Sequence, residues 1–312
     1  NGGGAAWIVS AGPFGEPAKA DFLAGLATLE KEPGPAILAA PGALRLSAED
    51  YHEVARAMIA HCAGLGSRMA ILDLHGGNPS EAAASDLAAS LGAFRAALAE
   101  VPQEHRSFAA AYHPWIVTAA GTVPPSAAMA GIWARTDADA GVWQAPANTP
   151  VGGANDVAIG IDDAMQQDMN VPLDGLAVNA IRPFAGRGVL VWGARTLDGN
   201  SQDFRYIPVR RTAVMIEQSI RLALEAYAFE PNVAATWATV RSMVAAFLTA
   251  VWKEGGLQGS RPDDAFAVQC GLGTTMTAED IVEGRMLVTV LVAVVRPAEF
   301  LALTFAQQMA SS

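Results

Sequence analysis

Cysteine is nearly absent from this chain: its 312 residues include two, Cys62 and Cys270, far apart in sequence. That excludes a disulfide framework and points to a reducing compartment at synthesis. Charge is sparse too, at 16% of residues, and the formal net charge is −11. Phosphate backbones require a basic face, so nucleic acid is excluded as a main partner. No uninterrupted apolar run approaches the roughly 18 to 20 residues of a membrane helix, so no membrane insertion is expected. There is no initiator Met and no signal-peptide pattern. The chain opens at Asn1 with Gly2-Gly3-Gly4 and is expected to be a piece of a longer protein with an arm or leading domain before it.

Catalytic motifs are missing as well. No GxSxG string marks a nucleophile elbow, and no HExxH or other metal spacing links His52, His61, His105 and His113. The glycines after Asn1 precede a strand and lack the GK[ST] of a phosphate loop, so neither a cofactor nor a metal is expected. Leu72-Asp73-Leu74-His75-Gly76-Gly77 places an acid and a histidine at the end of a buried strand, where α/β folds put ligand sites. With a serine from elsewhere it makes a hydrolase triad. Alternatively, Asp73 and His75 only hydrogen-bond the loop. Asp162, Asp163 and Asp168 gather near a helix start, as capping or solvated groups rather than a metal site. Arg205, Arg210 and Arg211 flank a strand-to-helix junction, with salt bridges either inside the fold or between subunits.

What the chain does have is apolar surface, at 52% hydrophobic residues, alanine-rich and dispersed. Two domains with substantial cores fit this length, and some of the surface is expected between subunits. Strand signals at Ala6–Ser10, Ala36–Ala39, Met69–Leu74 and Ser107–Tyr112 alternate with helical patterns at Asp21–Lys31, after Ser47 and at Pro79–Leu98. That alternation predicts parallel strands with crossover helices in a three-layer α/β core. A short helix is expected over Ser126–Arg135, then a long loop over Thr136–Asn155.

A second region begins near Gly188, with a strand at Val189–Trp192 and helices at Thr212–Ala228 and from Val233 to about Lys253. It ends in strands at Ala265–Cys270, Met286–Val295 and Phe300–Ala306, the last two broken by Arg296-Pro297-Ala298-Glu299. This mixture predicts α+β. A strand at a chain end must find a neighbour for its backbone groups, in its own subunit or the next.

Several strings resemble one family in order. Tyr112-His113-Pro114-Trp115 is similar to its xYxPW element. Val123-Pro124-Pro125-Ser126, Ala130-Gly131 and Ala134-Arg135-Thr136-Asp137 are similar to VPPSxxxAGxxARTD. Gly141 to Asn148 matches GVWxAPAN, and Trp192 to Leu197 matches WGARTL. Arg205-Tyr206-Ile207 with Val209-Arg210-Arg211 resembles RYIxVRR, Phe229-Glu230-Pro231-Asn232 matches FEPN, and Pro297 to Phe300 matches PAEF. The chain thereby resembles the contractile tail sheath proteins of myophages, R-type tailocins and related injection systems.

The resemblance implies a non-catalytic α/β domain of subtilisin-like fold over residues 1–185. An α+β C-terminal sheath domain follows over 186–312, with a β-strand arm at 296–312. It implies sixfold rings stacked helically around an inner tail tube, with baseplate and tail-terminator proteins as further partners. The particle would be a virion tail or phage-like particle assembled in the host cytoplasm. Contraction from a metastable extended state would drive the tube through a target envelope. Val288, Val290, Val292 and Val294 would form an acceptor strand. Phe300, Leu301 and Leu303 would belong to an arm donated to a neighbour, hinged at Arg296, Pro297, Ala298 and Glu299. Trp192, Arg195, Arg210, Arg211, Phe229, Pro231 and Asn232 would be motif residues, those of Trp192–Leu197 and Phe229–Asn232 shaping the C-terminal core. The Lys253–Gln258 loop is the candidate tube contact. The alternative function is a subtilisin-like hydrolase using Asp73 and His75.

Overall fold

The computed structural model describes residues 2–10, 15–77, 87–295 and 300–308. The chain divides into two units, Asn1–Arg211 and Thr212–Ser312.

The first unit opens with α1 (Lys19–Leu29), β1 (Ile37–Ala39) and a 3-10 turn at Pro41–Arg45. Then come α2 (Ala48–Leu65), β2 (Met69–Asp73), α3 (Leu87–Leu98), α4 (Gln103–Arg106) and β3 (Ala109–His113). The remaining elements are β4 (Ile116–Thr118), β5 (Gly121–Val123), α5 (Ser126–Ala140), β6 (Thr149–Pro150), β7 (Ala154–Val157), α6 (Asp163–Asn170), β8 (Val178–Phe184) and β9 (Gly188–Trp192). The main sheet has the order β1-β2-β3-β8-β9-β6, and a small antiparallel sheet has the order β5-β4-β7.

The main sheet is parallel from β1 to β8; β9 pairs antiparallel with β8, and β6 pairs antiparallel with β9. Every residue of β2 and β3 is buried, as expected of parallel strands covered on both faces. Alternate residues serve different layers. Ala70 and Leu72 join a core with Val54, Met58, Phe94 and Leu98, whereas Met69 and Ile71 join one with Met129, Ile132 and Trp133. The two-residue period of a strand thus builds the three-layer arrangement.

Helix ends follow local chemistry. Ser47 accepts the Asp50 N–H at 3.2 Å and starts α2; Gly66, at φ +62°, ends it. Asp162 accepts the Met165 N–H at 2.8 Å and starts α6. Asp163 pairs with Arg182 and Asp168 with Arg95, each at 2.8 Å, so the acidic group is capping and ion-paired.

Some expectations fail. Residues 6–10 form no strand: Trp7 is 49% exposed and Ile8 94%. β-Branched and aromatic residues fit a half-buried pleated surface, and no neighbouring backbone pairs with them among the described residues. The helix predicted to stop at Arg135 continues to Ala140, ending at Gly141 with φ +92°. The following stretch is not loop throughout, because β6 and part of β7 lie in it. The strand expected to open the second domain is β9, hydrogen-bonded to β8 in the first unit's sheet. The predicted helix from Pro79 falls outside the described residues as far as residue 86.

α7 (Ile207–Glu225) begins in the first unit and continues into the second. There follow α8 (Ala234–Lys253), α9 (Pro262–Ala265), β10 (Phe266–Gln269), α10 (Ala278–Val282), β11 (Arg285–Ala293) and β12 (Phe300–Gln308). α8 is long and apolar enough to cross a membrane by length and composition. Its buried stripe is Val240, Val244, Leu248 and Val251, at helical spacing, and it packs on β10. The sheet has the order β10-β11-β12, antiparallel throughout.

Candidate functional site

β11 is the centre of the terminal sheet. Met286, Val288, Val290 and Val292 are fully buried, while Leu287, Thr289 and Leu291 alternate with them and are half-buried. Val294 lies one residue past the strand and forms an isolated bridge with Leu257. Side chains fasten the strand along its length. Asn232 Nδ2 donates to Arg285 O at 3.0 Å, and Thr275 Oγ1 donates to Leu287 O at 2.7 Å. The Gln258 N–H donates to Ala293 O at 2.7 Å. Arg285 is clamped by Asp280 at 2.7 Å and by Glu283. Hydrogen bonds from Thr277, then the Arg285 guanidinium, pull the Asp280 carboxyl down to about 2.

The two neighbours of β11 are unequal. β10 pairs only with Thr289–Val292, whereas β12 pairs with all nine residues from Arg285↔Gln308 to Ala293↔Phe300. Phe300, Leu301 and Leu303 therefore lie opposite Ala293, Val292 and Val290. In this single chain the arm strand is laid on the chain's own β11. The hinge residues Arg296, Pro297, Ala298 and Glu299 lie outside the described residues.

The other candidates divide between structural roles. Asp73 is 2% exposed, and its Oδ1 accepts the Ser126 N–H at 2.7 Å, capping α5. Burial pushes its carboxyl up to about 7, against the pull of the Ser126 hydrogen bonds. The Tyr51 hydroxyl donates to Asp73 O at 2.5 Å. His75 points elsewhere, its Nε2 donating to Leu46 O at 3.1 Å. Both ring nitrogens of His113 are buried with no hydrogen-bond partner among the described residues. Burial lowers His113 to about 4.

A cavity of about 570 Å³ lies between the segment before α1 and β1, lined by Trp7, Phe22, Leu26, Leu38, Met58 and Ala130. Neither Asp73 nor His75 lines it, and it carries no titratable side chain. Among the described residues no three His, Cys, Asp or Glu side chains are grouped to hold a metal.

At the arginine junction, Arg210 and Arg211 find partners inside the chain, while the buried Arg205 Nε has no hydrogen-bond partner among the described residues. The Arg210 guanidinium lies 3.3 Å from the Phe204 ring centre and 4.2 Å from that of Phe108, and its Nε donates to Ser107 Oγ at 3.0 Å. Arg211 grips both carboxylate oxygens of Asp137 at 2.5 and 2.6 Å and lies 5.0 Å from the Trp133 ring centre.

The WGARTL segment lies in the first unit, not in the C-terminal core. Trp192 stacks on Phe184 at 4.6 Å, and Arg195 lies 5.6 Å from the Tyr206 ring centre. Asn179, which the sequence reading missed, holds this segment: its Oδ1 accepts Arg195 N–H at 2.7 Å and its Nδ2 donates to Ala111 O and Arg195 O. Its signal was a polar residue within a short apolar stretch.

Phe229 is 88% exposed and Pro231 is exposed, so neither forms core. The tight turn between α7 and α8, closed by the Glu230 N–H to Tyr227 O, turns the ring outward. In the loop expected to touch a tube, Gly256 and Leu257 are buried.

Residues 15–197 match the model of the phage tail sheath protein central domain, and 200–308 that of the phage tail sheath C-terminal domain. The tail sheath protein of Vibrio phage KVP40 is 29% identical over 142 residues, 45% of this chain; the match covers about a fifth (21%) of that relative. A chain of the anti-feeding prophage baseplate is similar at TM-score 0.71 and 32% identity, over 95% of this chain and 75% of that one. A chain of the contracted PVC sheath complex, an extracellular contractile injection system, is similar at TM-score 0.66 and 38% identity, over 80% and 68%.

Proposed function

The chain belongs to the phage tail sheath family, and we propose that it couples its neighbours through the β11–β12 pairing as a contractile sheath works. It is a structural sheath subunit of a phage or phage-like particle. Six copies form a ring around an inner tail tube, rings stack helically, and the stack ends on baseplate and tail-terminator proteins. Assembly takes place in the host cytoplasm. Triggering releases a metastable extended form to a shorter, wider one, and the work comes from new subunit contacts summed over many copies. The three-layer first unit supports a subtilisin-like reading of that body. Its Asp73 and His75 face different partners, so they are assigned no chemistry. The working division follows the observed units, meeting at Arg211 and Thr212, rather than a boundary at 185.

The observation that carries this reading is the nine-residue register between β12 and β11. β12 is an edge strand, and among the described residues no other strand pairs with its outer side. A strand paired in this way makes the same hydrogen bonds whether it belongs to its own subunit or to the next, which is the requirement for exchange. Six residues connect the two strands, longer than a tight hairpin turn, and Pro297 lies among them.

Deleting residues 296–312 is expected to leave a folded, soluble protein that forms no sheath tubes in electron micrographs. Normal tubes from that truncation would rule out coupling through the arm.

A further inference from the structure

Two surfaces, one in each unit, have opposite chemistry. In the first unit it is the outer end of the β8–β9 hairpin. Gly186 and Gly188, at φ +73° and +76°, make the turn, and the Phe184 and Trp192 rings on the hairpin meet at a tilt with centres 4.6 Å apart. The guanidinium carbons of Arg182 and Arg187 lie 5.7 and 5.9 Å from the Phe184 ring centre. Arg182 is neutralised by Asp163 at 2.8 Å. Arg187 is exposed; it donates to the neutral Asn148 Oδ1 at 2.5 Å and forms no ion pair among the described residues. The hairpin thus offers an aromatic pair topped by an uncompensated cation, a composition common where binding energy concentrates.

In the second unit the surface is formed by the α7–α8 turn and the turn leading into β11. The Asn232–Arg285 hydrogen bond, 3.0 Å, ties these segments together. They carry three exposed apolar side chains, Phe229 at 88%, Val233 at 48% and Val282 at 85%. Glu230, Glu279 and Glu283 are exposed beside them in sequence. Arg285, tied to this surface through Asn232, is already paired with both Asp280 and Glu283. This surface is apolar with a net negative rim.

We infer that these two surfaces bind each other between copies: the Phe184–Trp192–Arg187 hairpin of one chain seats on the Phe229–Val233–Val282 surface of another. The occupant is a second copy because the charges complement within one sequence. Copies with a net charge of −11 repel at long range, so self-association requires a local cation meeting an acidic rim. The contact is heterologous, with a different patch on each side, so it propagates subunit to subunit instead of closing as a two-fold dimer. It rests on the sheath reading and adds to the arm a second contact made without strand exchange.

The test uses full-length protein, assembled alone and imaged by electron microscopy, with Arg187→Glu, Glu230→Arg and Phe229→Ser. Each change lies on an exposed side chain, and an unchanged thermal melt of the unassembled protein confirms folding. Each variant alone is expected to raise the threshold concentration for tubes about tenfold or more. Mixing Arg187→Glu with Glu230→Arg restores tubes, because each copy then has one intact and one swapped contact. Either charge variant assembling like wild type overturns the inference, as does a mixture no better than its components. The truncation of 296–312 separates the two ideas. If it blocks assembly while Arg187→Glu does not, the arm stands and this contact falls. Wild-type protein that never forms tubes removes the sheath reading itself, and this contact with it.

Discussion

Replacing Asp137 with Ala removes the partner of a guanidinium that has little access to water. The Arg211 side chain is 8% exposed and that of Asp137 30%, with bidentate contacts of 2.5 and 2.6 Å. Breaking a buried pair by deleting one member costs about 3–5 kcal/mol, because the surviving charge stays desolvated. The carboxylate here is partly wet, which screens the attraction, so about 2–3 kcal/mol is the expected loss. The Trp133 face, 5.0 Å from the guanidinium, continues to offset some of the charge. In a unit of this size each kcal/mol moves Tm by about 2–4 °C, so Asp137→Ala should melt roughly 4–12 °C below wild type. Arg211→Met removes the charge and keeps an apolar stem, leaving Asp137 partly solvated, so it should cost less. The double variant should fall short of the sum by about 1–2 kcal/mol, the coupling between contacting residues. Asp139→Ala, at an exposed position two residues on, is the control and should stay within about 0.5 kcal/mol of wild type. Calorimetry or a dichroism melt of the four proteins reads all of this. An Asp137→Ala protein as stable as the control, or strictly additive variants, would refute the claim that the pair acts as a buried unit.

Two further outcomes follow from the same geometry. The Asp73 carboxyl is raised to about 7 in the fold from an ordinary 3.8, so its contribution is fully favourable below about pH 4 and is lost as pH rises through 7. His113, lowered to about 4 from 6.5, acts in the opposite sense, destabilising as pH falls from 6.5 toward 4. Asp73→Asn keeps an acceptor for the Ser126 N–H and should therefore gain stability at pH 8 but not at pH 4; a Tm difference independent of pH would contradict the assignment. Thr289→Cys with Thr304→Cys places thiols on register partners, whose Cβ atoms sit about 4.5–5.5 Å apart across an antiparallel ladder, near disulfide reach. Oxidised tubes should run as a covalent ladder on a denaturing gel, and monomers only within assembled tubes would refute exchange between subunits.

Much of the first unit was legible because its signals are local. Ser47 and Gly66 bracket α2, and the run at Met69–Asp73 is apolar enough to be read as a strand buried on both faces. β8 was not legible, though it lies mid-sheet, since Asn179, Arg182 and Pro183 interrupt its apolar pattern. Asn179 is tolerated inside because Arg195, sixteen residues on, supplies its partners, and no local window contains that information. Phe229 misled in the opposite direction: the resemblance to the FEPN motif implied core, but a tight turn directs it to solvent. At the terminal sheet, the apolar run of Met286–Val295 was legible as a strand, and the structure adds that Met286, Val288, Val290 and Val292 are its buried face. Which copy supplies the strand beside it is not encoded in periodicity, because backbone pairing has the same pattern either way.

Cys62 and Cys270 are both buried free thiols, held up at about 12 and about 11 by desolvation. At neutral pH almost none of either is in the reactive thiolate form, and neither offers its sulfur to a neighbouring surface. Subunits of this kind can stand in air without becoming welded to one another. Under the proposed contraction, subunits that do not cross-link on oxidation stay free to slip past one another.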